Sequence, residues 1–211
     1  RRKLGLERLA QPRRVGIRAH FRRPRDAPPL SDIEIFLRPG YELYVTPLPD
    51  DELLVAALAH EHVAAGDLRH GFQQWVSREP VLRGWLDGAI QTSELRGRAP
   101  LVSSTRGREP AGLILLGDAA ASVDPITAGG LSLALVSAEL LARHALELLT
   151  GSLLARRRFE RARAGVVRVH RWLGAGVLAL AGRPRLAELA RRGFSAHPSA
   201  MEALVAFAGG T

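Results

Sequence analysis

Residues 112–135 read GLILLGDAAASVDPITAGGLSLAL. An aliphatic run ends at Gly117-Asp118, Asp124-Pro125 breaks the chain again, and Gly129-Gly130 stands directly ahead of a second apolar stretch. A continuous run without alternation suits a strand buried on both faces, as in a parallel sheet covered by helices. A carboxylate at the tip of such a strand stands where open α/β sheets bind ligands. Ionised Asp118 only accepts hydrogen bonds, so it suits a partner rich in hydroxyl donors. From Leu131 to Leu149 the pattern is strongly helical. The glycine pair lets a flat ligand approach the backbone at the start of that helix, where free N–H groups favour negative charge. Together these features suit a ligand with a hydroxylated chain and a ring that becomes anionic.

Upstream, residues 13–60 read as antiparallel sheet. RRVGIRAHF at 13–21 alternates, placing Val15, Ile17, Ala19 and Phe21 on one face and Gly16, Arg18 and His20 on the other. Pro39-Gly40 and Pro49-Asp50-Asp51 are turn signals between further apolar runs, so three closely spaced strands form a meander. Asp67 is an N-cap for a helix running towards Arg78, which Glu79-Pro80 ends, and a second short turn holds Val81 to Leu86. Residues 89–96 are a further strand and 98–111 a loop. Downstream, Gly151 punctuates the helical pattern, a second long helix covers 153–173, and shorter helices follow.

Composition narrows the function classes. The chain has 211 residues, 46% of them hydrophobic and 24% charged, which describes an ordinary globular protein rather than a disordered or membrane-spanning one. The absence of cysteine excludes disulfides, thiolate catalysis and cysteine-ligated metals, and suits a cytoplasmic protein. No signal-peptide core follows Arg1, and the chain reads as a piece of something longer. No apolar run reaches the roughly 18 to 20 residues needed to span a bilayer; the best, WLGAGVLALAG at 172–182, is too short. Between residues 150 and 195 there are eleven arginines against two glutamates, an excess equal to the chain's whole net charge of +9. A basic helical region of this kind attracts nucleic acid or an anionic lipid surface, or is simply a solvated face; no nucleic-acid partner is expected from charge alone.

At residues 115–131 a specific likeness emerges. LLGDAAASVDPITAGGLSLAL resembles the second flavin-binding motif of the flavoprotein family of p-hydroxybenzoate hydroxylase and the geranylgeranyl reductases. The resemblance implies a FAD-dependent oxidoreductase with NAD(P)H as electron donor and a small hydrophobic substrate, aromatic or isoprenoid. It implies Asp118 on the ribityl hydroxyls, with Gly117 and Ala119 shaping the turn. Pro125, Gly129, Gly130 and Leu131 would lie beside the flavin ring. Asp-Pro-Ile-Thr at 124–127 is closer to the reductase branch than to the aromatic hydroxylases. Two positions depart from the motif. Ala121 stands where His or Gly is common, and Ala128 stands where a glycine is usual, which hands its conformational role to Gly129.

The implied fold class is α/β, becoming α+β in a chain of this extent. It would combine an antiparallel substrate-domain sheet, one returning strand of the FAD-binding parallel sheet, and a C-terminal helical region. The corresponding divisions are residues 1–100, 101–150 and 151–211. The family's opening G-x-G-x-x-G turn, which holds the FAD pyrophosphate, does not precede the sheet. The chain therefore resembles the C-terminal portion of such an enzyme and is expected to bind FAD weakly or not at all by itself. Peripheral membrane contact through 153–192, where a prenyl substrate resides, belongs to the same expectation. The competing reading is a basic helical binding module, for nucleic acid or anionic membrane, without catalysis.

Other patterns are weaker. His60, His62 and His70 suggest a metal only if a third ligand joins them, and no metal is expected. GLSLA at 130–134 approximates a hydrolase elbow, but no strand immediately precedes Ser132. GAGVLA at 174–179 fits a dinucleotide pattern yet follows helical sequence. Arg18 and His20 share a face of the sheet and can donate hydrogen bonds to a substrate or stand in water; no residue is assigned as catalytic.

Overall fold

The computed structural model describes residues 2–9, 14–64, 67–106, 109–110 and 112–209. The chain divides into two compact units, Gln11–Leu101 (the sheet unit) and Arg1–Ala10 with Val102–Thr211 (the helical unit). After a 3-10 turn at Arg2–Leu4 comes β1 (Glu7–Leu9), then β2 (Arg14–Arg22), β3 (Glu34–Arg38), β4 (Tyr41–Pro47) and β5 (Glu52–His60). The sheet unit continues with α1 (Leu68–Ser77), α2 (Pro80–Trp85), β6 (Ile90–Gln91) and β7 (Arg96–Arg98). The helical unit resumes with β8 (Ser103–Thr105), α3 (Gly117–Ala120) and β9 (Ala121–Ser122). After a 3-10 turn at Pro125–Thr127 it ends with α4 (Gly130–Leu149), α5 (Leu153–Ala181), α6 (Pro184–Ala196) and α7 (Pro198–Gly209).

The sheet unit is an antiparallel sheet in the order β3-β4-β5-β2-β6, with β7 also pairing β2. Its hairpins turn where the sequence expects. Gly40 has φ +89°, and Asp50 and Asp51 take left-handed backbone at φ 60° and 57°, the conformation that tight hairpins demand. Alternation buries one face: Val15, Ile17, Leu43, Val45, Leu53, Val55 and Ala57 pack with Phe72 and Trp75 of α1 and Leu82 of α2. α1 starts at Asp67, whose carboxylate accepts from the Arg69 amide at 2.9 Å. Tyr41 stacks on Trp75 with ring centroids 5.3 Å apart. Buried Arg14 and Glu42 form a two-pronged ion pair, one contact at 3.1 Å. The strand expected at 89–96 is instead two short strands, β6 and β7, separated by a bend at 92–95.

In the helical unit α4 and α5 form a helical hairpin. Gly151 turns at φ +79°, and the Ser152 hydroxyl caps α5 by accepting from the Ala155 amide at 3.2 Å. Leu133, Ala155, Phe159 and Ala181 supply the buried apolar groups. β8 lies within the stretch expected to be a loop; it pairs β1 on one side and β9 on the other, both antiparallel.

The α+β class holds, but the aliphatic run behaves differently from the expected returning strand. Leu113–Leu116 forms neither helix nor strand and is only half-buried, and no ladder reaches it among the described residues. Side chains of α5 take the place of a neighbouring strand. Arg156 donates to the carbonyls of Glu109 at 2.9 Å and Leu113 at 3.5 Å, and Arg163 donates to the Leu115 carbonyl. The Leu115 amide donates to Glu109 Oε2 at 3.2 Å. The segment thus satisfies part of its backbone through a buried carboxylate and two guanidinium groups.

Candidate functional site

The Gly-Asp turn is sharply defined. Leu116 is extended, and Gly117 swings to φ +50°, a left-handed conformation that favours glycine. A β-carbon on Gly117 would lie 3.1 Å from the Ala134 β-carbon, so the turn also sits hard against the second turn of α4. The amides of Ala119 and Ala120 donate to the Leu116 carbonyl at 3.1 and 3.3 Å, closing α3. Asp118 and Ala119 are exposed, while Ala120 is buried. The two parts of the motif, separated by a dozen residues, are therefore brought side by side.

The connecting residues are spent on shape. Asp124 accepts from the Ile126 amide at 3.1 Å and caps the 3-10 turn that opens with exposed Pro125. A β-carbon on Gly174 of α5 would come within 3.2 Å of the Thr127 methyl, so α5 packs closely over that turn. Here one expectation is corrected. Ala128 itself takes the left-handed conformation, φ 50° and ψ 7°, whereas Gly129 has an ordinary φ of −85°. The backbone path demands a positive φ at position 128, and Ala128 bears the strain rather than passing it to its neighbour.

α4 then begins with no side chain capping it, unlike α1 and α5, which are capped by Asp67 and Ser152. No acidic residue occupies its first turn. The amides of Gly130, Leu131 and Ser132 are first-turn donors of a 20-residue helix, with the positive end of its dipole behind them. Gly129 is buried, Gly130 half-buried, and the Leu131 side chain is 73% exposed. An exposed carboxylate and an uncapped helix end, locked together through Gly117 and Ala134, can offer acceptors to hydroxyls and donors to an anionic edge.

Nothing in the sequence pattern marks Glu109, Arg156 and Arg163 as a unit. Glu109 is buried, accepts from Arg163 at 3.1 Å and lies 3.8 Å from Arg156, which also holds Glu160 at 3.0 Å. Two arginines of the basic run are therefore structural, whereas Arg157, Arg158, Arg161, Arg168 and Arg171 are exposed.

The weaker patterns resolve individually. His60 and His62 stack at 5.5 Å, His70 contacts Gln74, and no group of three metal-ligating residues occurs among the described residues. Ser132 lies in the first turn of α4, and 174–179 is interior to α5, so neither follows a strand. In the sheet unit Arg18, His20 and Arg22 line a polar groove with Glu52, Thr92, Ser93, Glu94 and Arg96. No helix among the described residues is long and apolar enough to cross a membrane.

No family model matches the chain, and no curated protein matches it. Solved structures do. The myxobacterial chondrochloren halogenase CndH, described as a variant of FAD-dependent halogenases, is 22% identical with a TM-score of 0.66, over 80% of this chain and 42% of that one. A flavin-dependent brominase, Bmp2, is 15% identical with a TM-score of 0.76, over 94% and 50%. The chain shares its fold with these flavin-dependent enzymes. A flavoprotein/dehydrogenase from Cytophaga hutchinsonii agrees, at 18% identity and a TM-score of 0.69, over 83% of this chain and 45% of that one. The chain spans half the length of these three flavoproteins or less. At such identities the likeness is one of fold.

Proposed function

We propose that this chain carries the ring-side half of a FAD site in a flavin-dependent oxidoreductase that acts on a small hydrophobic substrate. The observation that carries the reading is the contact of Gly117 with Ala134, which seats the exposed Asp118 turn against the uncapped start of α4. Asp118 would accept hydrogen bonds from the ribityl hydroxyls. Gly117 and Ala119 would shape its turn. The backbone of Gly129, Gly130 and Leu131 would present the positive helix end to the ring edge, with Pro125 alongside. When bound, FAD supplies the redox chemistry, with NAD(P)H as the electron source; the chain's own residues position it and bias its charge. Donors aimed from a helix end favour the anionic form of whatever they face, which lowers the cost of reducing it. Asp-Pro-Ile-Thr at 124–127 supports the geranylgeranyl-reductase branch, hence alkene reduction on an isoprenoid substrate; the halogenase and dehydrogenase folds support the wider oxidative class equally.

The test uses the whole encoded polypeptide. That polypeptide should purify with FAD, and Asp118→Ala should lower its affinity about tenfold or more through lost charge-assisted hydrogen bonds. Unchanged affinity would remove Asp118 from the site. The chain alone should purify without stoichiometric flavin, and yellow protein at one flavin per chain would overturn the division of the site.

One observation favours a second role for the helices. Trp172 is 76% exposed beside exposed Arg168 and Arg171, and Leu186 and Leu189 are exposed on α6. An aromatic flanked by arginines suits the interface of an anionic membrane. Flotation with anionic liposomes at low salt should carry the chain upward, and Trp172→Ala should release it; no flotation discards the contact.

A further inference from the structure

The antiparallel sheet ends on two different margins. Beyond β2 lie β6, two residues long, and β7, three residues long, and strands so short give another chain little to pair with. The opposite margin is β3, a regular strand whose five residues pair one to one with β4. The phase of the ladder decides which of its backbone groups are free. The His60 amide donates to the Gly40 carbonyl at 3.1 Å and the Leu48 amide to the Glu52 carbonyl at 2.8 Å. Even-numbered residues of β4 therefore bond to β5 and odd-numbered ones to β3. Tyr41, Leu43 and Val45 are the partners of Arg38, Phe36 and Glu34, so those three turn their N–H and C=O groups inward. Ile35 and Leu37 turn theirs outward. Among the described residues the bond to these outward groups comes from Arg38 Nη1, 2.9 Å from the Leu37 carbonyl, which keeps a second lone pair.

The side chains do not guard this edge. Ile33 and Ile35 are more than half exposed and Leu37 is exposed too, whereas Phe36, pointing to the other face, meets Trp85 of α2 with ring centroids 5.9 Å apart. No lysine, proline or bulge interrupts residues 33–38, the devices that usually keep a free edge from pairing. The strand is instead complementary to its own reverse. It reads Glu34-Ile35-Phe36-Leu37-Arg38, an acid and a base around three apolar residues. A second copy laid antiparallel and centred on Phe36 sets Glu34 of each chain against Arg38 of the other. The same register sets Ile35 against Leu37, the outward-facing positions, so each such pair exchanges both of its backbone hydrogen bonds. The Glu34–Arg38 pairs then fall at the closely spaced positions between them, where opposite charges attract. Glu34 has no ion-pair partner in its own chain among the described residues. Arg38 holds Glu79 at 2.6 Å and has further donors in its fork. A pairing centred on Ile35 would set Glu34 against Phe36 and lose the match.

We infer that β3 is a self-pairing edge, through which two copies of this chain join antiparallel about Phe36 into one continuous sheet. The inference rests on the sheet unit alone and stands or falls separately from the flavin reading.

The experiment is sedimentation velocity on the 211-residue chain, loaded from micromolar to submillimolar concentration. A reversible monomer–dimer equilibrium is expected. Ile35→Pro removes an N–H that β4 does not use, so it should weaken the dimer about tenfold or more while the far-ultraviolet spectrum and thermal midpoint stay near wild type. Ile35→Lys puts a charge on the edge and should weaken it comparably; it serves in place of Ile35→Pro should that variant not fold. Glu34→Arg should weaken the dimer more than Glu34→Gln, because both symmetric pairs become repulsive. Leu149→Lys, at an exposed apolar site on α4, is the control and should change nothing. The chain has no cysteine, so introduced ones report the register. A mixture of Glu34→Cys and Arg38→Cys chains should form a mixed disulfide under mild oxidation, faster than either variant links to itself. A monomer at every concentration, a dimer indifferent to the Ile35 substitutions, a dimer dissolved by Leu149→Lys, or no preference for the mixed disulfide would each overturn the inference.

Discussion

Replacing Glu109 by alanine tests whether side chains of α5 substitute for a missing strand neighbour. Glu109 is 5% exposed, and its partners Arg156 and Arg163 are 13% and 15% exposed, so the three form a largely desolvated cluster. Removing one member of a buried ion cluster leaves the others uncompensated and costs about 3–5 kcal/mol. Two features place the expectation at about 3 kcal/mol. Arg156 retains Glu160 at 3.0 Å, and the Arg163 guanidinium keeps its place 5.1 Å from the centre of the Phe159 ring. The Leu115 amide also loses its acceptor, which works in the other direction. Urea unfolding followed by far-ultraviolet circular dichroism reads the loss. With a slope near 2 kcal/mol per molar, the midpoint of the helical transition should fall by about 1.5 M. Glu109→Gln, which preserves an acceptor for Leu115 but not the charge, should cost about half as much. The double variant Glu109→Ala/Arg163→Met should be less damaged than the sum of the single ones by at least about 1 kcal/mol, as coupled partners require. A loss below about 1 kcal/mol for Glu109→Ala, with additive behaviour in the double variant, would refute the bracing role.

Ala128→Gly should stabilise the helical unit by about 0.5–1 kcal/mol in the same unfolding assay, because alanine at φ 50° is strained and glycine there is not; a loss of stability would contradict that reading of the turn. Tyr41 is the basis of a pH prediction. Burial is the main cause that raises its pKa above the ordinary value of 10.0, and the Glu79 carboxylate adds to it against Arg78 and Arg38. A folded value above the unfolded one means that this contribution to stability is complete below pH 10 and is lost as the pH rises through the folded value. The wild-type midpoint should therefore decline above pH 10, and Tyr41→Phe should flatten the decline; identical alkaline profiles would disprove the link.

Much of the sheet unit was legible because its signals are local. Asp67 and Glu79-Pro80 bracket α1, and Pro39-Gly40 and Pro49-Asp50-Asp51 bracket the meander strands, so periodicity and turn chemistry agree. β8 was not legible, since Ser103–Thr105 has no apolar alternation and its partners, β1 and β9, lie far apart in sequence. The aliphatic run misled for a related reason. Its composition records what a buried strand needs, but its backbone here is held by Arg156 and Arg163, 43 and 48 positions from the Leu113 and Leu115 carbonyls they bind. At the candidate site the motif residues stood out as types in order, Gly-Asp, then proline, then the glycine pair. Their meeting through Gly117 and Ala134 and the strain at Ala128 depend on backbone angles that composition does not encode.

In the proposed flavin site the Asp118 turn and the start of α4 form one face for a flavin ring and its polyol chain. The most direct measurement is the amide footprint of FMN on the isotope-labelled 211-residue chain by nuclear magnetic resonance, with inorganic phosphate as reference. FMN carries the ring and ribityl chain but not the adenosine half, so the chain's own half-site suffices. Binding should be weak and fast-exchanging, with its largest shifts on Gly117, Asp118 and Ala119 and on Gly129, Gly130 and Leu131, absent with phosphate and diminished in Asp118→Ala. Shifts confined to the arginine-rich helices and reproduced by phosphate, or none at millimolar FMN, would contradict it.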